Sequence, residues 1–219
     1  MKKVILATLL LVNLAVSANA PSDTKSPSYL NKRYENFVIA ENIKILHAQI
    51  NTEIKNEKDV KLLNYLFTNT EFGDQDVQLK LKEVSDSLSV NPLWVLRVIY
   101  KESRGNTKAV NTLSNATGII QWLPSTARAL NTSILCIYNM NTKEQLDLLL
   151  KFAIKSGKVN KIKSYEDMYL LVFHPASVGK PDDHILGKFN SKTTKSNKGV
   201  DLNNNGIITI REFKKYANI

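Results

Sequence analysis

Apolar residues recur at helical spacing along most of the chain. Val38, Ile43, Leu46 and Ile50 form one such series, and Val60, Leu63, Leu66 and Phe67 form another, which predicts two helices between residues 32 and 70. Val77, Leu81, Val84 and Leu88 then fall at i, i+4, i+7 and i+11, a single helix stripe. A new helix starts at once, because Asn91 is a good N-cap and Pro92 suits the first helical position; it runs strongly apolar to Arg104, and Gly105 ends it. Thr142-Lys143-Glu144-Gln145 has the form of a capping box and opens a helix ended by Gly157. Ser164 to Asp167 opens a last long one, stopped near Pro175. Residues 106–124 read as a loop rich in Asn, Thr, Ser and Gly, and strand signals are weak throughout. The predicted fold class is mainly α.

The two ends of the chain depart from this pattern. Lys2 and Lys3 precede an apolar run from Val4 to Val16, and Ala18-Asn19-Ala20 follows it. A basic start, a short apolar stretch and a small-x-small ending make a secretory signal peptide, and the run is shorter than a spanning helix requires. The expected mature chain begins near Pro21, is exported to the periplasm or medium and keeps no membrane span. The chain carries 30 Lys and Arg against 20 Asp and Glu, a net charge of +10. Such a protein is drawn to anionic polymers, and export disfavours nucleic acid as the partner. Cys136 is the single cysteine, so no intramolecular disulfide can form; its apolar setting, Ile134-Leu135-Cys136-Ile137, predicts a buried, inert thiol.

Chemistry concentrates on the helix that begins at Pro92. Val95, Val98, Ile99 and Glu102 lie on one face, so an apolar wall ends in a carboxylic acid. Desolvation disfavours the ionised form and raises the pKa, the property a glycosidase needs in its acid. A glutamate fraying into solvent beside Lys101 or Arg104 is the bland alternative. The residues that follow favour the first reading. Glu102-Ser103, then Gly118-Ile119-Ile120-Gln121, then Pro124-Ser125-Thr126-Ala127 resemble, in order and separation, the catalytic segment of soluble lytic transglycosylases in the lysozyme-like superfamily. The resemblance extends over roughly residues 74–190. It implies a lysozyme-like helical domain acting on the glycan strands of peptidoglycan, with Glu102 as general acid and base, and no cofactor for the reaction. It further implies that Ser103 orients Glu102 or touches substrate and that Gln121 lines the saccharide cleft. Loop residues such as Ser114 can hydrogen-bond sugar hydroxyls, and Trp122 is placed either to stack on a sugar or to sit in the core.

One position departs from the family. Its members carry Ala-Tyr-Asn on a later helix, with the Tyr near the acid, whereas this chain has Phe173-His174 within Leu170 to Gly179. The ring is kept and the hydroxyl lost; Tyr169, one turn earlier, is the candidate replacement. His174, before a proline, reads as a helix-end residue, and Asp182-Asp183-His184 as a solvated turn. In the family a single carboxyl protonates the bond between N-acetylmuramic acid and N-acetylglucosamine, then takes the C6 hydroxyl proton as a 1,6-anhydro ring closes. A hydrolytic muramidase, using water and often a second acid such as Glu71, Asp74 or Asp76, is the alternative chemistry. A non-catalytic peptidoglycan-binding module is the alternative class.

The tail carries a second motif. Asp201, Asn203 and Asn205 supply oxygens at positions one, three and five of an EF-hand-like loop. Gly206 takes the turn at six, the Ile207 carbonyl stands at seven, Thr209 at nine and Glu212 at twelve. This predicts calcium binding, weak because only two ligands are charged. The resulting organisation is a signal peptide over 1–20, an N-terminal lead and helical extension over 21–73, a lysozyme-like domain over 74–190, and a polar linker with the calcium loop over 191–219.

Overall fold

The computed structural model describes residues 27–189 and 191–218. The expected signal peptide lies outside them. The chain divides into two compact units, residues 1–38 and 39–219. Of the first, the described part is the opening of helix α1 (Pro27–Glu53), where Tyr34 and Phe37 are exposed.

The second unit holds the rest of α1 and then α2 (Glu57–Asn69), α3 (Gln75–Leu88), α4 (Pro92–Ser103), α5 (Pro124–Ala129), α6 (Ile134–Asn139), α7 (Thr142–Ser156), α8 (Tyr165–Phe173), α9 (Lys192–Ser196) and α10 (Ile210–Ala217). Among the described residues strands are limited to two short antiparallel pairs, β1 (Val110–Asn111) with β2 (Ala116–Thr117) and β3 (Ile185–Gly187) with β4 (Ile208–Thr209). The fold is mainly α, as expected of a lysozyme-like helical domain. No helix among the described residues is long and apolar enough to cross a membrane.

The predicted stripes form the core. Val77, Leu81, Val84 and Leu88 of α3 and Val95, Val98 and Ile99 of α4 are all buried, and α3 packs along α7 while α4 packs along α8. Leu46 and Ile50 of α1, with Leu62, Leu63 and Leu66 of α2, join the same cluster. The helices expected as an extension ahead of residue 74 therefore share the core of the unit. Their placement is secured by Arg97 of α4, which binds the buried Asp59 of α2 through two hydrogen bonds of 2.8 Å. Burial acts to raise the Asp59 pKa, but the Arg97 guanidinium and backbone donors outweigh it and hold the carboxyl below its ordinary value.

Local chemistry shifts some expectations. The capping box of α7 sits one residue earlier than predicted: Asn141 caps the backbone of Glu144, and the Glu144 carboxylate returns to the Asn141 N–H. The Thr142 N–H goes instead to Glu71 Oε2 at 2.9 Å. Cys136 is exposed, not buried. Its apolar run forms the short helix α6, of which Ile137 faces the core while Leu135 is 72% exposed. A helix turns only part of such a run inward. The polar stretch expected as a linker begins with α9, capped by the Ser191 hydroxyl on the Thr194 N–H.

Candidate active site

Asn91 caps α4 through the Leu93 N–H, Pro92 occupies its first turn, and Arg104 ends it in the left-handed region with φ 54°. Glu102 lies in the last turn, beyond three buried aliphatic residues. Burial raises its pKa, against smaller opposing effects from the Tyr169 hydroxyl and the neighbouring Lys101. Tyr169 comes from α8 and is itself buried. Its hydroxyl faces the Glu102 carboxylate, and burial together with that carboxylate pushes its own pKa far up, so it stays protonated and can donate. Tyr169 thus places a hydroxyl beside the carboxyl, where Phe173 has none.

The loop after α4 is pinned by short-range bonds. Ser103 Oγ donates to the Ile119 carbonyl at 2.8 Å and accepts from the Gly105 N–H, so it orients the loop against the helix end that carries Glu102. Thr117 and Trp122 pair across a tight turn. Gln121 sits in that turn with φ 55°, and its Nε2 donates to the carbonyls of Gly118 and Ala109. A non-glycine residue in the left-handed region costs about 1–2 kcal/mol, and such residues cluster at functional sites.

The remaining candidates fall in different places. Ser114 is exposed on the turn between β1 and β2, where its Oγ accepts from the Ala116 N–H at 3.3 Å. Trp122 is only 2% exposed and meets Phe152 edge-on at 5.6 Å. Its ring is a core element and offers no face to a sugar, which corrects the expected substrate contact. Phe173 stacks on Phe213 of α10 at 4.8 Å, so its ring is occupied by packing. His174 accepts the role of helix-end residue, its Nδ1 2.9 Å from Ser177 Oγ. Of the acids ahead of α4, Glu71 accepts from the Thr142 N–H and the exposed Asp76 pairs with Lys143 at 3.4 Å, while Asp74 stands at the start of α3 without a side-chain cap bond.

Gln145 was not foreseen as a site residue. It is fully buried on α7; its Oε1 accepts from the Ile119 N–H at 2.8 Å, and its Nε2 lies within bonding distance of the carbonyls of Thr107, Ile137 and Met140. One side chain thereby fastens both ends of the candidate cleft loop. Gly118 makes room for it: a Cβ there would meet Gln145 Oε1 at 2.2 Å, and φ is +85°. The available signal was a glutamine on the stripe that continues through Leu149 and Ala153.

The C-terminal loop turns its side-chain oxygens onto its own backbone N–H groups. Asp201 accepts from the N–H groups of Asn205 and Gly206, Asn203 from Asn205, and Asn205 from Ile207. Thr209 caps α10, and Glu212 Oε2 accepts from both the Thr209 N–H and its hydroxyl. Among the described residues no three His, Cys, Asp or Glu stand close enough to hold a metal. An ion here would depend on asparagine and backbone oxygens as much as on carboxylates.

Comparison with known families places this geometry. The family model of the transglycosylase SLT domain matches residues 81–147, a segment similar to that domain from α3 into α7. It contains Glu102, Ser103, Gln121 and Gln145 and stops short of Tyr169. No curated protein and no solved structure matches the chain.

Proposed function

We propose that the protein is a peptidoglycan lytic transglycosylase that cleaves the β-1,4 bond between N-acetylmuramic acid and N-acetylglucosamine. The observation that carries the reading is the Glu102 carboxyl, burial-raised in pKa and faced by the Tyr169 hydroxyl, inside a segment similar to the transglycosylase SLT domain. Protonated Glu102 donates to the glycosidic oxygen, and the C1–O bond breaks toward the N-acetylglucosamine side. The muramyl acetamido group stabilises the cation. Glu102, now a base, takes the proton of the muramyl C6 hydroxyl, whose oxygen closes on C1 to give the 1,6-anhydro product. No water is consumed, and one carboxyl serves both steps. Tyr169 holds that carboxyl in place and remains protonated throughout. Ser103, Gln145 and the Gln121 turn set the loop that would line the glycan strand.

The engagement of Glu71 on the Thr142 backbone takes one candidate second acid away from a two-carboxylate hydrolysis. The positive net charge suits an anionic cell-wall polymer. Export through the signal peptide of residues 1–20 would bring the enzyme to that polymer, in the periplasm or outside the cell.

Mass spectrometry of peptidoglycan digested by the protein tests the reading, with Glu102→Gln beside it. Anhydromuropeptides that vanish in the variant are expected. Reducing muramic ends would make the protein a muramidase, and intact sacculi from both would remove the enzymatic reading.

A further inference from the structure

We propose that a calcium ion held by the loop 201–212 clamps α10 against the Glu102–Tyr169 pair, so that glycan cleavage requires calcium. The inference rests on the reading of Glu102 as the acid.

The loop has an opening for a cation. Glu212 is 7% exposed, and its Oε1 is buried without a hydrogen-bond donor, while Oε2 is held by Thr209. Asp201, the first loop residue, is 9% exposed. A buried carboxylate oxygen with no donor is costly, and a cation beside Glu212 Oε1 would remove that cost. Oxygens from Asp201, Asn203, Asn205, Ile207 and Glu212 form the all-oxygen set that calcium prefers. The bracing usually given by a second loop is supplied here by β3: Ile208 pairs with Gly187 and Thr209 with Ile185. The next two N–H groups, of Ile210 and Arg211, bond to the carbonyls of His184 and Asp182.

The helix that leaves the loop reaches the candidate site directly. Phe213 packs against Tyr169, ring centroids 5.2 Å apart, and against Phe173. Lys101, the residue before Glu102, donates to the carbonyls of Tyr216 and Ala217 at 2.8 and 3.2 Å and so caps the end of α10. The Tyr165 hydroxyl donates to the same Ala217 carbonyl. Both the neighbour of Glu102 and the tyrosine that faces it are therefore held by α10. An eight-residue helix has little stability of its own and depends on its cap and packing. Glu212 is at once part of that cap and the twelfth loop ligand, so cation binding and helix placement share one side chain.

The test uses the full chain, stripped with EGTA and titrated with calcium chloride or magnesium chloride. Three readouts are followed: the thermal midpoint, deuterium exchange in peptides covering 165–173 and 201–217, and anhydromuropeptide release. Calcium is expected to raise the midpoint, slow exchange in both segments and increase release at least about tenfold, with half-effect at roughly 0.1–1 mM, in the range of extracellular modules. Glu212→Gln should lose all three responses. Asn203→Ala leaves the capping box intact and should need about tenfold more calcium. Phe213→Ala should keep calcium protection in 201–209 but lose it in 165–173, and lose release with it. No midpoint or exchange response to calcium would overturn the proposal. So would protection confined to the loop with equal release in calcium and EGTA. Protection of 165–173 by calcium in a chain that releases nothing under any condition would uphold the clamp and count against the enzymatic reading alone.

Discussion

The Tyr169 hydroxyl on α8 faces the Glu102 carboxylate on α4 closely enough to act on its pKa, bringing together two helices separated by more than sixty residues of chain. Because the hydroxyl favours the ionised acid, removing it should let burial act unopposed by it. In Tyr169→Phe the alkaline limb of kcat/KM, set by loss of the Glu102 proton, is expected to move to higher pH. A pH–rate profile on soluble glycan strands checks this; an unmoved limb would mean that the pair does not govern the acid.

Glu102→Gln should reduce glycan cleavage by about 10²–10⁴-fold, the usual contribution of a positioned general acid. It should also stabilise the fold at alkaline pH. The folded-state pKa of Glu102 lies above the unfolded one, so the folded chain binds its proton more tightly and loses stability as pH rises through that interval. The amide carries no such penalty. Thermal midpoints should favour the variant at about pH 8 and converge below about pH 4, where the wild-type carboxyl is protonated in both states. A variant less stable at both values would contradict the desolvation argument.

Gln145→Leu should leave the Ile119 N–H and the carbonyls of Thr107 and Met140 without their partner, while the Ile137 carbonyl keeps the Met140 N–H. At about 1–3 kcal/mol for each buried group left unsatisfied, a loss of about 3 kcal/mol or more is expected in urea unfolding. Gly118→Ala should be destabilising too, through both the left-handed backbone and the contact with Gln145 Oε1. Its effect should shrink in the Gln145→Leu background, because the two substitutions disturb one contact. Full additivity would show that Gly118 acts through its backbone alone.

Arg97→Leu should cost about 3–5 kcal/mol, since it strands the buried Asp59 carboxylate. The same pair predicts an acid response. The Asp59 pKa is lower in the folded chain, so its contribution is complete above the unfolded value of about 3.9 and is lost as pH falls through the folded one. The stability gap between wild type and Arg97→Leu should therefore narrow in acid. Equilibrium unfolding at neutral and acid pH measures it, and a constant gap would exclude the ion pair as its source.

Much of this was present in local sequence. The stripes of α3 and α4, the Asn91-Pro92 start and the Ser164 cap specify helices through spacing and short-range hydrogen bonds, which depend on residues only a few positions apart. Glu102 at the end of an apolar face, followed by the Gly118 to Gln121 segment, was visible for the same reason. The loop donors of 201–212 are likewise a local pattern.

Other features depend on residues distant in sequence, and tertiary packing decides them. Trp122 became a core residue because Phe152 closes over it, and Cys136 came to the surface because α6 turns Ile137 and, in part, Ile134 inward. The buried polar hub at Gln145 bonds to carbonyls from two separate segments and to the Ile119 N–H of a third. The facing of Tyr169 and Glu102, and the seating of Phe213 and the α10 carbonyls beside that pair, join parts of the chain with no local reason to meet. Periodicity and capping report which face of a helix is apolar, whereas the identity of the group opposite that face is set only when the helices pack.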